Sequence, residues 1–364
     1  MKKKVAILST FYEPFMSGAE QMVKGVAERL GSDYDITLIT GRFSRALSAV
    51  ENRPTFKLVR VGWGNKKIDK ILYPFLAAWQ VRQIKPDIAH AIMESYAGGA
   101  LVVVKILYPQ AKRVLTLQSG DLDSEVKQKQ FLLKMFWRLI HRSPNLITAI
   151  SSFLAERAEN LGVKKENIIL TPNGVDLSQI PNDVEKITNR VVCVARLSWE
   201  KGLDYLITAW PEVLKFKPEA KLVLVGEGDK RQEIEAMVKE LSISDSVLLL
   251  GNLPHGRVLI EIKKSEVFIC PSLAEGLGIV FIEAQACGVP VIGTNVGGIP
   301  DVIQNNENGL LVEPKNSAQI SEAIIKLLGD KSLAERLSSR ALDTVKKYDW
   351  SNVMARIDEI YKKL

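Results

Sequence analysis

Two carboxylates, Glu275 and Glu283, stand with seven residues between them in the segment Pro271 to Gly298, PSLAEGLGIVFIEAQACGVPVIGTNVGG. Glu275 ends a loop after an apolar run, and Gly276-Leu277-Gly278 leads into a helical stretch that carries Glu283. Glycines in such a loop let backbone N–H groups approach a ligand, and a helix N-terminus favours phosphate. A carboxylate beside the loop would bind sugar hydroxyls. One two turns into the helix would reach a ribose diol. An isolated E-x7-E is more often two solvated glutamates around an ordinary loop. A second segment, Val194 to Leu203, VARLSWEKGL, sets Arg196 after a strand and Lys201-Gly202 before a helix. Two cations on one loop at a strand's carboxyl end suit a diphosphate, which Arg holds bidentately. Alone, this loop reads equally well as solvated. A third, Ser9 to Glu20, STFYEPFMSGAE, follows the first strand, and Gly18 there would admit a phosphate. It is not a GxGxxG fingerprint, and no acidic residue follows a second strand in the dinucleotide-binding manner.

Such loops need strands that end along one edge. Val5–Leu8, Ile36–Ile39, Leu58–Val61, Ile88–Ala91, Val114–Leu117 and Leu146–Ile150 read as buried strands, with Gly18–Leu30 and Ile71–Gln83 helical between them. The second half repeats the scheme with strands Val191–Val194, Leu222–Val225, Val247–Leu250, Val267–Ile269 and Val289–Ile292. Its helices are Leu203–Lys215, Lys230–Leu241, Ile279–Ala286 and Ser317–Leu328. Unbroken β-branched runs alternating with helices indicate parallel sheets covered on both faces. Two series imply two doubly wound α/β domains, in keeping with 364 residues, more than one core usually accommodates. The polar stretch Asp176 to Asn189 is the expected linker. The expected domains are residues 1–178, residues 179–345 and a final helix in 346–364. Ligands of open α/β sheets lie outside the strands' carboxyl ends, so two facing sheets would share one interdomain cleft.

The hydrophobic fraction of 46% excludes a disordered chain. Three cysteines in apolar surroundings make no disulfide framework and suggest a reducing compartment. The apolar run Val5–Leu8 is too short for a signal peptide, and no window nears the ~20 apolar residues of a membrane span. The net charge of +7 is unevenly spread: residues 1–180 carry +10 and residues 181–364 carry −3. A basic half suggests an anionic partner.

Jointly, these stretches resemble the retaining glycosyltransferases of family 4, nucleotide-sugar enzymes of the GT-B fold, over nearly the whole chain. The resemblance rests on the P-S-x-x-E-G-x-G…E-A-x-A-C-G-x-P-V run from Pro271 to Val291 and on Val296-Gly297-Gly298-Ile299-Pro300. It also rests on Arg196-Leu197…Lys201-Gly202, Pro172-Asn173-Gly174-Val175-Asp176, Val225-Gly226-Glu227-Gly228 and the closing Trp350…Tyr361 helix. It implies that Arg196 and Lys201 hold the donor diphosphate and stabilise the leaving group. Glu275 would contact the donor sugar, and Glu283 the ribose. The amides of Leu277, Gly278 and Ile279 would bind sugar and phosphate, and Gly18 would approach the diphosphate. The Glu227 turn and the Asn252-Leu253 loop would flank the base. The final helix would cross back onto the first domain. No metal or other cofactor is expected, since cations and amides can neutralise the departing phosphate. The three histidines are scattered, and no D-x-D stands on a loop of the second domain.

The chain departs from the family's pattern at two places. Ser17-Gly18 replaces a glycine pair, and Gln118 stands where many members carry a histidine. Gln hydrogen-bonds a hydroxyl but carries no proton, which argues against a histidine-dependent mechanism. His90 either matches another family histidine or is a satisfied residue at a strand end. His90, Gln118 and Asn173 are the acceptor-side candidates. No acidic residue occurs from Val126 to Ala155, and Lys127 to Arg142 reads as a basic amphipathic helix. Leu132, Met135, Phe136, Leu139 and Ile140 share one face, widened by Leu133 and Trp137, with Lys134, Arg138 and His141 opposite. Such a helix either faces the core or lies on anionic lipid, with Lys127, Lys134, Trp137 and Arg138 as contacts. Trp63, Lys66, Lys67, Lys70, Tyr73 and Trp79 form a second basic-aromatic stretch.

The expected enzyme moves a hexose from a UDP- or GDP-sugar to a lipid-linked or envelope-polysaccharide acceptor. Domain closure would assemble its site. It is expected in the cytoplasm, peripheral on the inner face of the membrane. A soluble small-molecule or protein acceptor, or a GT-B sugar-nucleotide epimerase, is the alternative. Nucleic acid is not an expected partner, because no recognition module accompanies the charge.

Overall fold

The computed structural model describes residues 2–15, 18–118 and 131–364, without the side chains of 131–134. It divides into two compact units, Met1–Gly174 with Trp350–Leu364, and Val175–Asp349. In the first, the strands are β1 (Lys4–Leu8), β2 (Asp35–Gly41), β3 (Val50–Asn52), β4 (Lys57–Val61), β5 (Ile88–Ile92), β6 (Lys112–Leu117), β7 (Leu146–Ala149) and β8 (Ile168–Leu170). The helices are α1 (Gly18–Leu30), α2 (Lys66–Ile84), α3 (Tyr96–Leu107), α4 (Phe131–Arg142) and α5 (Ser152–Asn160). The strand order among the described residues is β3-β4-β2-β1-β5-β6-β7-β8. Pairing is parallel except between β3 and β4. The winding direction therefore reverses at β1, which has β2 on one side and β5 on the other.

The second unit carries β9 (Arg190–Val194), β10 (Lys221–Val225), β11 (Val247–Gly251), β12 (Val267–Cys270), β13 (Val291–Thr294) and β14 (Leu310–Val312). Its helices are α6 (Leu203–Phe216), α7 (Arg231–Glu240), α8 (His255–Lys263), α9 (Ile279–Ala286), α10 (Ile299–Val302), α11 (Ser317–Gly329) and α12 (Lys331–Thr344). The described sheet is parallel, in the order β11-β10-β9-β12-β13-β14. Its inner strands are buried along their length, as at Val191–Cys193 and Leu222–Val225, because helices cover both faces.

Each strand expected from the apolar runs is present, with ends shifted by one or two residues. Three others, β3, β8 and β14, escape the pattern. All are three residues long and lie at sheet edges, too short to show a period even where every residue is apolar, as in β8 and β14. Helix α2 begins five residues before the expected Ile71. The Asn65 side chain caps it, accepting from Lys67 and Ile68 N–H at 3.1 and 3.2 Å. The carboxylate of buried Asp69 gathers the amides of Trp63, Gly64 and Asn65 at 2.7–2.9 Å.

The last helix, α13 (Trp350–Lys363), belongs to the first unit. Its apolar face, Trp350, Val353, Met354, Ile357, Ile360 and Tyr361, joins one core cluster with β1, α1, β2 and β5. Polar contacts fix its seating. Tyr34 donates to Asp358 at 2.7 Å, and Lys3 to the Tyr361 carbonyl at 3.0 Å. The two chain crossings run side by side, with Val175 N–H donating to Tyr348 O at 2.8 Å. The units thus part at 174/175 and 349/350, each four residues from the breaks the sequence suggested. Among the described residues, no helix is long and apolar enough to cross a membrane.

Candidate active site

In the second unit, the loops after β9 to β13 emerge at the sheet's carboxyl edge and are bonded to one another. Leu197 N–H donates to Glu227 O at 2.9 Å, Gly226 to Gly251 O at 2.9 Å, Leu273 to Glu200 O at 2.7 Å and Gly298 to Glu275 O at 3.1 Å. Two glycines permit this meshing. At Gly202 (φ +59°) a Cβ would lie 2.3 Å from the Pro271 carbonyl oxygen, and at Gly297 (φ +54°) 2.0 Å from that of Glu275. Any other residue would force the loops apart and strain a left-handed backbone.

This meshing sets Lys201 against Glu275. Lys201 Nζ lies 2.7 Å from Glu275 Oε2, and the two side chains are 16% and 20% exposed. Arg196 is 64% exposed and reaches Glu200 Oε1 at 3.0 Å. Burial pushes the Glu200 carboxyl up, but hydrogen bonds and the charges of Arg196 and Lys201 outweigh it and hold the pKa below the usual range. The edge therefore presents two ion pairs, Arg196–Glu200 and Lys201–Glu275, the second just ahead of the N-terminus of α9. Leu277 is buried, and Gly278 caps the helix that Ile279 begins.

Glu283, one turn into α9, has a partner that the sequence did not announce. His255 Nε2 lies 2.7 Å from Glu283 Oε1. This bond raises the His255 pKa against the opposing effect of burial, and Asp176 adds to the rise. Nothing in the spacing of a lone histidine at the start of α8 links it to a carboxylate on α9. Glu227 is engaged by Arg231, which also reaches Glu235 at 2.9 Å. Asn252 and Leu253 form the loop after β11. Cys193, Cys270 and Cys287 are buried free thiols. Among the described residues, no three of His, Cys, Asp and Glu gather as a metal ion would require.

In the first unit, Gly18 begins α1. Gln118 and Asn173 form a reciprocal amide pair: Gln118 Nε2 donates to Asn173 Oδ1, and Asn173 Nδ2 to Gln118 Oε1, both at 2.8 Å. Buried Glu94 accepts from Gln118 N–H at 3.1 Å and pairs with Arg157. The end of β6 is thereby tied to α5. His90 does not join them. It is fully buried, with Nδ1 2.6 Å from Tyr361 Oη and Nε2 2.6 Å from Thr116 Oγ1. Burial pushes its pKa down to about 3. His90 is therefore a satisfied core histidine, at the middle of β5 and not at the strand end expected, with no ring nitrogen left for an acceptor.

Lys127 lies outside the described residues, as do the side chains of Leu132, Leu133 and Lys134. On the rest of α4, Met135, Phe136 and Leu139 are exposed, together with Arg138, while Trp137 is partly buried. Ile140 faces the core instead of joining that face. His141, expected on the polar side, is also buried, with Nδ1 2.9 Å from the Trp137 carbonyl oxygen, because the helix's last turn packs inward. Of the second stretch, Trp63, Lys66, Lys67 and Trp79 are exposed, but Tyr73 is fully buried and donates to Ile39 O at 2.9 Å. Exposed Ile68, Ile71 and Phe75 continue the apolar stripe along α2.

Comparison with known proteins agrees with this architecture. The model for family 4 glycosyltransferases matches residues 16–179, and that for group 1 glycosyltransferases matches residues 179–344. A GDP-mannose-dependent alpha-(1-6)-phosphatidylinositol monomannoside mannosyltransferase of Mycobacterium tuberculosis is 27% identical over 300 residues, 76% of this chain and 77% of the relative. An uncharacterised glycosyltransferase of Methanocaldococcus jannaschii is 36% identical over 174 residues, 47% of this chain and 44% of the relative. Among solved structures, a sucrose-phosphate synthase of Thermosynechococcus elongatus superposes with TM-score 0.84 at 20% identity, covering 100% of this chain and 99% of that one. Anabaena HepE, solved with UDP and glucose, superposes with TM-score 0.77 at 20% identity, covering 100% of both. The chain belongs to the family 4, group 1 glycosyltransferases and is a glycosyltransferase of the GT-B fold.

Proposed function

We propose that this enzyme transfers a hexose from a UDP- or GDP-sugar, with retention at the anomeric carbon and without a metal ion. The observation that carries the reading is the Lys201–Glu275 pair, held by meshed loops ahead of α9, with Arg196 beside it. Lys201 and Arg196 balance the charge that grows on the donor diphosphate as its bond to C1 breaks. Glu275 and the Leu277–Ile279 amides hold the sugar and phosphate, Glu283 holds the ribose, and Gly18 admits the diphosphate. Glu227 and the Asn252-Leu253 loop flank the base. The acceptor oxygen attacks C1 on the face the phosphate leaves, and its proton passes to a departing phosphate oxygen. The products are a glycoside and a nucleoside diphosphate.

The acceptor reading rests on the first unit. Its positive charge is surplus to what a donor needs, and exposed apolar side chains on α2 and α4 stand among Lys66, Lys67, Arg82 and Arg138. These features suit an anionic membrane surface and a lipid-linked or envelope-polysaccharide acceptor. The enzyme would then lie in the cytoplasm, peripheral on the inner face of the membrane. The mycobacterial relative, named for a phosphatidylinositol mannoside substrate, supports the same class.

The test is a panel of UDP- and GDP-hexoses, with and without chelator. Nucleotide release and heat protection report donor use, and NMR of the product reports its anomeric configuration. Release from no donor, strict dependence on added metal, or an inverted product would each remove part of the reading. An epimerase would change the sugar with no acceptor present. Absence of co-sedimentation with anionic vesicles at low salt would sink the membrane assignment.

A further inference from the structure

Four loops of the first unit bring aromatic rings and lysines together at one end of the sheet, next to the α2 surface already read as facing a membrane. Phe11 and Phe15 follow β1, Phe43 follows β2, Lys66 and Lys70 open α2 after β4, and Tyr96 opens α3 after β5. The four strands are neighbours, in the order β4-β2-β1-β5, and all are parallel. Phe11 and Tyr96 flank the β1/β5 gap where the winding reverses, the position outside the carboxyl ends where open α/β sheets bind ligands. Phe11 and Phe43 have ring centroids 4.9 Å apart, and Phe15 lies 6.3 and 6.2 Å from them. Lys66 Nζ sits 5.1 Å from the Phe15 ring centre. Lys70 Nζ sits 5.7 Å from that of Phe11 and 5.2 Å from that of Tyr96.

The charge balance points to the ligand. Among the described residues, no carboxylate is recorded in an ion pair with Lys66 or Lys70. Asp69, the acid between them in sequence, is buried and bonded to backbone amides of its own loop. The ring faces hold the two ammonium groups without neutralising them. Two such groups match the charge of a phosphate monoester, and one of them that of a diester; lysine binds either as a point charge. The neighbouring rings, with Phe15 exposed, offer flat apolar surface to whatever is esterified. The exposed stripe of Ile68, Ile71 and Phe75 runs on from the same helix end.

We propose that Lys66, Lys70, Phe11, Phe15 and Tyr96 form a subsite for the phosphate ester of the acceptor, with the phosphate on the lysines and the attached moiety on the rings. The assignment rests on the glycosyltransferase reading and on the acceptor lying in the first unit. It is tested by calorimetric titration of the full chain with glucose 1-phosphate, with dihexanoyl phosphatidylglycerol below its micelle concentration, and with methyl glucoside. Wild type should bind at least one phosphate ester, and methyl glucoside at least tenfold more weakly. The Lys66→Ala/Lys70→Ala variant should lose roughly tenfold or more in ester affinity at unchanged unfolding temperature. Tighter binding of the phospholipid assigns the phosphate to a lipid headgroup, and tighter binding of the sugar phosphate assigns it to a soluble saccharide. Either outcome supports the subsite. Failure to bind either ester, equal binding of methyl glucoside, or unchanged affinity in the double variant overturns it. UDP and GDP binding on the same samples separates the two readings. Lost nucleotide binding with intact ester binding sinks the donor assignment and leaves this one standing.

Discussion

Replacing Lys201 by Ala tests the donor reading where it is most exposed to failure. At ~4 Å between unit charges in surroundings of effective dielectric near 20, the Lys201–Glu275 attraction is about 4 kcal/mol before desolvation is subtracted. Both side chains are largely covered, so desolvation removes much of this, and a net coupling of about 1–3 kcal/mol is expected. A double-mutant cycle with Glu275→Gln, followed by thermal unfolding, measures that coupling directly. Catalysis should suffer more than stability. Removing a positive group aimed at developing phosphate charge typically costs 10²–10³-fold in kcat, or about 3–4 kcal/mol. The assay is nucleoside diphosphate release from the preferred donor, at saturation, on protein shown to be folded. If Lys201 only held Glu275 in place, Lys201→Ala would lose no more than the coupling energy, and Glu275→Gln would lose as much. If Lys201 faces the phosphate, its loss exceeds the coupling, and Lys201→Arg recovers part of it. A Lys201→Ala enzyme that keeps kcat within about threefold would refute the reasoning.

Other outcomes follow from named contacts. His255→Ala should raise the donor KM several-fold with kcat little changed, because it frees the Glu283 carboxylate from the group that orients it; steady-state kinetics on both variants of the pair checks this. Gly297→Ala should destabilise the fold by about 2 kcal/mol or more, since the new Cβ meets the Glu275 carbonyl at a left-handed backbone position; a urea midpoint measures it. Tyr361→Phe strips a partner from a buried imidazole nitrogen and should cost about 1–3 kcal/mol in the same assay. His90 also predicts a pH dependence. Its folded pKa, about 3, lies below the unfolded value of ~6.5, so the unfolded chain takes up the proton first. Its contribution is whole above pH ~6.5 and falls by ~1.4 kcal/mol per unit as the pH drops toward 3. Wild type should therefore lose about 2 kcal/mol from this group between pH 7 and pH 5. His90→Gln should lose correspondingly less.

Much of the loop cluster at the carboxyl edge of the second sheet was legible because it is written in short segments. A strand, a glycine turn and a helix start lie within about twenty residues in VARLSWEKGL and PSLAEGLGIVFIE, and backbone sterics restrict what such glycines can do. The continuous apolar runs announced the inner strands for the same local reason. The edge strands β3, β8 and β14 were not legible, since three residues are too few to show a period. The periodicity of Lys127 to Arg142 announces an amphipathic helix. It did not say that Ile140 and His141 turn inward while Met135, Phe136 and Leu139 face solvent.

By itself, then, the sequence determined two βα series, the loops that carry Arg196, Lys201 and Glu275, and the concentration of positive charge in the first half. Tertiary structure alone decided which side chains meet. Tyr361, 271 positions away, is bonded to His90 in the core and keeps it from any acceptor. Glu283 gained His255, Gln118 gained Asn173, and Lys70 came to rest between Phe11 and Tyr96. Spacing along the chain governs what a turn or a helix face can hold. Partners brought from different strands depend on sheet order, which no local pattern records.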